Sequence, residues 1–336
     1  MRLRRRVILA IVIGLASTIV SFTLLHRHGF GAGDFTPSLG GATALLHGTD
    51  PYTNPAFGRG KPYPYDVPLL YPMPALIVAL PFTMFSRYVA GALFFGIGSG
   101  ALAFGLTRDG YARLPLFLSA PFFVAAYVAQ WSPLIIAAFL IPWLFPLGFA
   151  KPNLGVALGV AYPNIRTFVA AGVVYALSLL ILPKWPLEWL HNLRYSHHLP
   201  PILILPGLVF SQHLPLILLL PGIALLYAAV AWRRPAGRLL LAMSFVPQLS
   251  FFYDQLPLWL IPLTLRQSMF LTISSWIGYA GWETLQHGLL QESGPWIVGS
   301  LYLPALTLVL WQQWRVARIV RATSDEVIGN ALSWVE

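Results

Sequence analysis

The segment D-F-T-P-S-L-G-G-A-T-A-L-L-H-G-T-D-P-Y, residues 34–52, brings aspartates, a tyrosine and glycine turns together directly after the first hydrophobic run of the chain. It leads into a Tyr- and Pro-rich run that ends Y-D-V-P-L-L-Y-P-M-P at residues 65–74. The neighbouring stretches, residues 7–25 and 69–86, are apolar. Ionisable groups at a membrane boundary cost free energy, so the groups that a protein keeps there typically serve a function. We therefore expect this segment to separate the first two spans and to hold the candidate site.

The composition predicts an integral membrane protein. Of the 336 residues, 57% are hydrophobic and only 10% are charged, whereas a soluble domain carries about 25% charged residues. A membrane helix needs about 20 apolar residues, so roughly nine to twelve spans fit a chain of this length. We predict an all-α, polytopic transmembrane helix bundle that forms a single transmembrane domain over residues 1–336.

The positive charge indicates how the chain is oriented in the membrane. Its 21 Lys and Arg residues outnumber 11 Asp and Glu residues, which gives a formal net charge of +10. Most of these cations stand in short loops between apolar runs, and such loops tend to lie on the cytoplasmic side of the membrane. Orientation in the membrane therefore explains the charge, and we predict no nucleic-acid partner. Arginines precede the run 7–25 and no cleavage site follows it, so we expect a retained first helix. Both termini are predicted to be cytoplasmic, in a multi-pass protein of the cell membrane.

Two loops are expected to face the outside. Residues 26–68 are too polar and too rich in Gly and Pro to span the membrane, and they form the first external loop. Between Pro37 and Gly48, apolar residues recur at helical spacing, which predicts a short helix along the membrane surface. Residues 184–213 form the second external loop. Prolines in the later apolar segments predict broken helices, which a membrane tolerates where protein or a watery cavity satisfies the backbone.

Asp34 is the candidate catalytic residue. A half-buried carboxylate at the mouth of the bundle suits a general base, because burial brings its pKa closer to the working pH. The alternative is structural, since an aspartate that precedes a proline often caps the helix that follows. The residues alone leave both readings open.

Asp50, Tyr52 and Tyr71 are candidate substrate-binding residues of the first loop. Asp50 precedes Pro51, and this pair also suits a tight turn in which the aspartate bonds a backbone amide. Tyr52 belongs to the same turn. Tyr71, together with Tyr63 and Tyr65, suits a wall that packs on a sugar or a lipid, or equally a belt of tyrosines at the membrane interface.

Gln130 and Lys151 interrupt apolar stretches and are further candidates for substrate binding. A lysine without an acidic neighbour in sequence is costly in such a region unless it meets an anion, and phosphate is one suitable partner. The alternative is a lysine at a loop end whose ammonium reaches the membrane surface.

Arg194, His197 and His198 of the second external loop complete the set of candidate substrate-binding residues. They suit contact with a phosphate, whereas adjacent histidines point in different directions and make a poor metal chelate. The chain has no cysteine, which excludes disulfides and thiolate ligands. It also has no phosphate-binding glycine loop and no H-E-x-x-H motif. We predict neither a metal nor a cofactor.

The order of these motifs resembles the integral-membrane glycosyltransferases of the GT-C type. It is most similar to glycosyltransferase family 87, the polyprenyl-phosphate-mannose-dependent mannosyltransferases. The resemblance covers the first half of the chain through its motifs and the second half through hydropathy alone. The residues that carry it are Asp34-Phe35, A-L-L-x-G-x-D-P-Y at 44–52, Y-P-M-P at 71–74, L-P-F at 80–82, and the polar breaks at Gln130 and Lys151-Pro152.

This resemblance implies a mechanism and its partners. Asp34 would deprotonate an acceptor hydroxyl on a lipid or glycan, and that oxygen would displace the phosphate of a polyprenyl-phosphate sugar with inversion. The site would face the outside, at the edge of the lipid bilayer. Lys151, Arg194 or His198 would steady the departing phosphate. No second acid is evident beside Asp34, and Asp50 and Asp66 are the helpers that the first loop offers.

Two other functions compete with the enzyme. One is a transporter or flippase for a lipid-linked sugar, which typically shows internal repeats and charges within its spans. The other is a membrane scaffold without catalysis, which has no need of Asp34. The acids of this chain stand mostly in loops or at segment ends, and this favours the enzyme.

Overall fold

A computed structural model describes residues 3–53, 68–196, 223–246, 251–286 and 293–332. Regular structure in these ranges is entirely helical, with no β-strand, so the all-α prediction is confirmed there. The α-helices are α1 (Leu3–His28), α2 (Thr36–Leu46), α3 (Met73–Ala79), α4 (Arg87–Leu106), α5 (Ala120–Tyr127), α6 (Ser132–Leu140), α7 (Pro152–Ala161), α8 (Ile165–Ser178), α9 (Trp185–Asn192), α10 (Pro235–Phe245), α11 (Leu265–Leu285), α12 (Ser293–Ile297) and α13 (Leu303–Leu332).

Short 3₁₀ helices join or extend several of these elements. They matter here because two of them, Gly33–Phe35 and Phe252–Leu260, carry candidate site residues. The remaining ones are Leu80–Phe82, Thr107–Asp109, Leu114–Leu118, Pro142–Leu147, Leu193–Ser196 and Leu225–Ala231, and a π-helical turn covers Val298–Tyr302.

Among the described residues, three helical stretches are long and apolar enough to cross a membrane: Leu3–His28, Arg87–Asp109 and Ser293–Arg318. The bent pair α5–α6 makes a fourth if it counts as one span. Such helices indicate a membrane protein, but they are fewer than the nine to twelve spans predicted. Other apolar helices in the described ranges are too short to cross, such as α7 and α8 on either side of Pro163.

α1 and α4 pack closely through small residues. A Cβ on Gly14 would lie 3.1 Å from the carbonyl oxygen of Gly96, and one on Gly100 would lie 3.0 Å from that of Ala10. Next to this contact, the Ser21 hydroxyl of α1 donates a 2.8 Å hydrogen bond to the Ala126 carbonyl of α5. The end of α1, and the turn that follows it, are thereby held against the end of α5.

A sharp break separates α5 from α6. The two helix axes are bent by 116°, and at the break Ala129 has a left-handed φ of 47°. Pro133 stands in the first turn of α6, where its missing N–H removes no helical hydrogen bond. Gln130 lies in this break, next to the Val128 carbonyl, which accepts a hydrogen bond from outside the two helices.

The 3₁₀ helix Phe252–Leu260 is buried along its whole length. It packs mainly on α5, and also on α6, where the Ser132 hydroxyl donates a 2.8 Å hydrogen bond to the Tyr253 carbonyl. Its Trp259 indole donates to Thr272 of α11 at 3.1 Å. These contacts carry Asp254 into the interior, beside the break between α5 and α6.

The short helix predicted between Pro37 and Gly48 is present as α2. It ends at Leu46, ahead of Gly48, whose φ of 69° favours glycine. Thr36–Leu39 are buried, so this end of α2 is an integral part of the packing. The first loop also meets the second through α9, since the Asn192 side chain donates a 3.4 Å hydrogen bond to the Tyr52 carbonyl. Residues 197–213 of the second loop lie outside the described residues.

Candidate functional site

The turn that carries Asp34 is pressed against the break between α5 and α6. The Asp34 backbone N–H donates a 2.7 Å hydrogen bond to the Val128 carbonyl. Gly33, just before it, has a φ of 56° and lies so close to Val128 that a Cβ there would overlap the Val128 carbonyl. Only glycine fits this position without a shift of the backbone. Gly33 and the backbone hydrogen bond to Val128 therefore fix the position of the Asp34 backbone.

The Asp34 carboxylate bonds Gln130 and does not cap α2. The Gln130 Nε2 donates to the Asp34 Oδ2 at 2.6 Å, across 96 residues of sequence. The N-cap residue of α2 is Phe35, and no side chain bonds the free amides of that helix end. The capping interpretation of Asp34 is therefore wrong, and its carboxylate belongs to a tertiary contact.

The side-chain amide of Gln130 makes three hydrogen bonds, with Asp34, Trp131 and Lys151. Its Oε1 accepts hydrogen bonds from the Trp131 backbone N–H at 2.8 Å and from the Lys151 Nζ at 3.0 Å. Its exposed fraction is 1%. Because Oε1 faces donors, the amide nitrogen must face the acceptor, Asp34. Gln130 therefore connects the carboxylate of Asp34 to the ammonium of Lys151.

Lys151 forms a buried ion pair with Asp254. The Lys151 Nζ lies 2.6 Å from the Asp254 Oδ1, and the two side chains are 12% and 2% exposed. The Nζ also lies 5.4 Å from the centre of the Tyr253 ring. The sequence offered phosphate contact or a loop-end lysine at the membrane surface as alternatives. In the structure the charge of Lys151 is compensated instead by a carboxylate of the chain itself.

Asp254 is the site residue that sequence reasoning missed. It stands in an otherwise apolar stretch and was not singled out as a candidate site residue. A usable signal exists, because lone charges of opposite sign within apolar segments are expected to pair. Lys151 and Asp254 are such charges. We refer to Asp34, Gln130, Lys151 and Asp254 together as the Asp34 network.

Burial raises the pKa of Asp34 from 3.8 to about 6. The positive charge of Lys151 lowers the pKa, the negative charge of Asp254 raises it, and hydrogen bonds from Gln130 and the Tyr253 hydroxyl lower it. The balance leaves a half-buried carboxyl that changes protonation state close to neutral pH. Such a group can accept a proton from a bound molecule or release one to it.

The aromatic candidates of the first loop connect the Asp34 network to α9. The Tyr52 hydroxyl donates a 3.0 Å hydrogen bond to the Tyr71 carbonyl. The Tyr71 ring stacks on Trp131 at 5.6 Å, next to Gln130, while the Tyr52 ring stacks on Trp185 of α9 at 6.2 Å. Tyr71 therefore lies beside the network, whereas the contacts of Tyr52 lead away from it.

Asp50 forms the tight turn with Pro51 that the sequence offered as the alternative to substrate binding. Its Oδ1 accepts a 2.8 Å hydrogen bond from the Tyr52 backbone N–H. Burial, together with the negative charge of Asp50, raises the pKa of Glu188 in α9. Glu188 was not singled out from the sequence. In the described ranges, the hydrogen bond of Asp50 is local to this turn, and its charge acts on Glu188 of the second loop.

The remaining candidates belong to the second loop. Arg194 lies in the 3₁₀ helix Leu193–Ser196, directly after α9, and is exposed. His197 and His198 lie outside the described residues. In the part of the chain that the structure describes, no group of three or more His, Cys, Asp or Glu side chains is placed to hold a metal ion.

No family model, curated protein or solved structure matches this chain. The similarity to GT-C glycosyltransferases seen in the motifs therefore stays a prediction. What the Asp34 network does has to be argued from its own charges and hydrogen bonds.

Proposed function

We propose that this protein is a membrane glycosyltransferase in which Asp34 is the general base. It moves a sugar, mannose by the resemblance of its motifs, from a polyprenyl-phosphate donor to a hydroxyl of a lipid- or glycan-linked acceptor. The observation that carries the proposal is the half-buried Asp34 carboxyl, whose pKa burial raises to about 6. A base in this range is largely ionised at neutral pH and still basic enough to take a proton from an attacking hydroxyl.

The chemistry needs one base and one leaving group. Asp34 takes the proton of the acceptor hydroxyl as that oxygen forms a bond to the anomeric carbon of the sugar. The bond from the anomeric carbon to the phosphate oxygen breaks, and its electron pair leaves with the polyprenyl phosphate. Attack from the face opposite the leaving group gives inversion. The half-buried Tyr71 ring, which stacks on the buried Trp131 beside the network, suits the wall of a sugar site.

The net negative charge of the Asp34 network favours a position next to the acceptor hydroxyl and not next to the donor phosphate. With Asp34 ionised, the two carboxylates outnumber the single ammonium, so the network repels a phosphate. Lys151 is bonded to Gln130 and Asp254, which speaks against the role in phosphate binding that the resemblance suggested for it. Of the predicted phosphate ligands, Arg194 and the adjacent His197 and His198 stay as proposals.

The proposal includes a membrane arrangement. It takes the helices as a GT-C bundle in the cell membrane, with both termini in the cytoplasm and the Asp34 network near the outer surface. The contacts between the first loop and α9 support a common side for the two loops, because the Asn192 side chain of α9 donates a 3.4 Å hydrogen bond to the Tyr52 carbonyl.

A specific observation favours a second function, transport or flipping of a lipid-linked sugar. The Lys151–Asp254 ion pair and the protonatable Asp34 lie beside a break between two helices. Broken helices and buried charges that exchange protons are also features of transporter sites. In that function Asp34 would exchange protons during movement of the ligand and would break no bond.

The test is transfer from radiolabelled polyprenyl-phosphate mannose in membranes that contain wild-type protein, Asp34→Asn or Asp109→Asn. Asp109 is an exposed aspartate outside the network, so its variant is a matched control. We expect Asp34→Asn to lower the rate by about 10²–10⁴, the usual contribution of a general base, and Asp109→Asn to leave it unchanged. Full transfer by Asp34→Asn rejects the base. Movement of the lipid without transfer by the wild type establishes the transporter instead.

A further inference from the structure

We infer that Lys151 and Asp254 are positioning residues for Asp34: Gln130 transmits the charge of the lysine to the Asp34 carboxyl, and Asp254 limits that charge. The inference builds on the proposed function, in which Asp34 is the base, but its test does not require glycosyl transfer. It assigns the buried Lys151–Asp254 ion pair a role in the reaction that differs from both phosphate binding and packing.

The first step of the argument is the direction of the hydrogen bonds. The Lys151 Nζ donates to the Gln130 Oε1 at 3.0 Å, and the Gln130 Nε2 donates to the Asp34 Oδ2 at 2.6 Å. An ammonium that bonds the oxygen of an amide withdraws electron density from it and makes its N–H a stronger donor. The positive charge therefore stabilises the ionised form of Asp34 although Lys151 and Asp34 are not paired directly.

The second step is that Gln130 cannot turn away. Its Oε1 also accepts from the Trp131 backbone N–H at 2.8 Å, and the residue is 1% exposed. A rotated amide would place its NH₂ group against the Lys151 ammonium and the Trp131 N–H, which are both donors. The geometry thus allows one orientation, and it is the one that presents a donor to Asp34.

The third step is the opposing effect of Asp254. It lies 2.6 Å from the Lys151 Nζ and is 2% exposed, so its negative charge is hardly screened by solvent. The titratable and charged groups that act on the Asp34 carboxyl are Lys151, Asp254 and the Tyr253 hydroxyl. Lys151 and Asp254 act with opposite signs. Neutralising each of them should therefore move the protonation of Asp34 in opposite directions.

The experiment measures the protonation of Asp34 by infrared difference spectroscopy of purified full-length protein, with Asp34→Asn as the spectral blank. Lys151→Met should shift the titration midpoint of Asp34 upward, and Asp254→Asn should shift it downward, each by on the order of one pH unit. The acid limb of the rate profile should move in the same directions, because the base acts when ionised. An ion pair that only supports the fold would reduce the yield of folded protein and leave the midpoints in place.

Matched controls are Lys184→Met and Asp109→Asn, which remove exposed charges that do not act on Asp34. Neither should move the midpoint. Gln130→Leu keeps the ion pair and removes the hydrogen bonds that connect Lys151 to Asp34, so the titration midpoint of Asp34 should rise. This variant provides the test if the single charge variants do not fold. Unmoved midpoints, or shifts of the same sign for Lys151→Met and Asp254→Asn, overturn the inference. Opposite shifts in a protein that transfers no sugar support it while rejecting the proposed function.

Discussion

The Nζ of Lys151 and the Oδ1 of Asp254 lie 2.6 Å apart, although 103 residues separate them in sequence. Each stands in an apolar part of the chain where an unpaired charge is costly. Their contact brings the start of α7 to the buried 3₁₀ helix Phe252–Leu260, and Gln130 extends it to Asp34. One ion pair thus joins the second half of the fold to the turn after the first helix.

We expect Lys151→Met to destabilise the protein by about 3–5 kcal/mol, because it leaves the Asp254 carboxylate buried without a counter-charge. Reversible unfolding by SDS in mixed micelles measures the loss. The double variant Lys151→Met/Asp254→Asn removes both charges and should recover most of the stability. A single variant that is as stable as the double variant would contradict the pairing.

We expect the transfer rate of the wild-type protein to rise with pH through a midpoint of about 6, the pKa to which burial raises Asp34. The sign follows from the role of the base, which must be ionised before it takes a proton. At pH 5 about one-tenth of the carboxyls are ionised, so the rate should be about a tenth of its plateau. Initial rates between pH 4.5 and 8, with saturating donor and acceptor, test this, and a rate that falls over this interval would argue against Asp34 as the base.

We expect Asp34→Asn to stabilise the folded protein above pH 6 by about 1–3 kcal/mol. In the unfolded chain this carboxyl ionises near its ordinary pKa of 3.8, whereas the folded chain holds the pKa at about 6. Ionisation therefore favours the unfolded state as the pH rises from about 4 to about 6, and asparagine has no such cost.

The measurement is the same unfolding assay on wild type and Asp34→Asn at about pH 2.5 and pH 7. The gain should be present at pH 7 and absent at about pH 2.5, which is well below both pKa values, so that both states of the wild type are protonated. Asp109→Asn should show no gain at either pH. A gain that is equal at both pH values would have another cause than the ionisation of Asp34.

We expect Gly33→Ala to impair transfer more than Gly29→Ala does. Both glycines have a left-handed φ, 56° and 68° respectively, so alanine costs about 1–2 kcal/mol of backbone strain at either position. Only at Gly33 would the added Cβ also overlap the Val128 carbonyl, because nothing lies within 4 Å of a Cβ at Gly29. Transfer rates at equal amounts of folded protein separate the two effects, and equal rates would show that the contact with Val128 does not position Asp34.

Local sequence patterns predicted several elements of this fold correctly. The short helix before Gly48 is present as α2, because its apolar spacing and its glycine stop act within a few residues of each other. The helical character follows from apolar runs that satisfy their own backbone hydrogen bonds. Among the described residues, three or four helices have the length and composition of a span, because segments such as α7 and α8 have the composition of a span without its length.

The sequence by itself determined that the chain is helical and rich in membrane-type segments, and it singled out Asp34, Gln130 and Lys151 as polar interruptions, since composition and spacing are local properties. Only the tertiary structure decided that these side chains meet and that Asp254 completes the network. The physical reason is that the contacts join residues 96 and 103 positions apart. No periodicity links such positions, and their meeting depends on the 116° break between α5 and α6 and on the packing of helices around it.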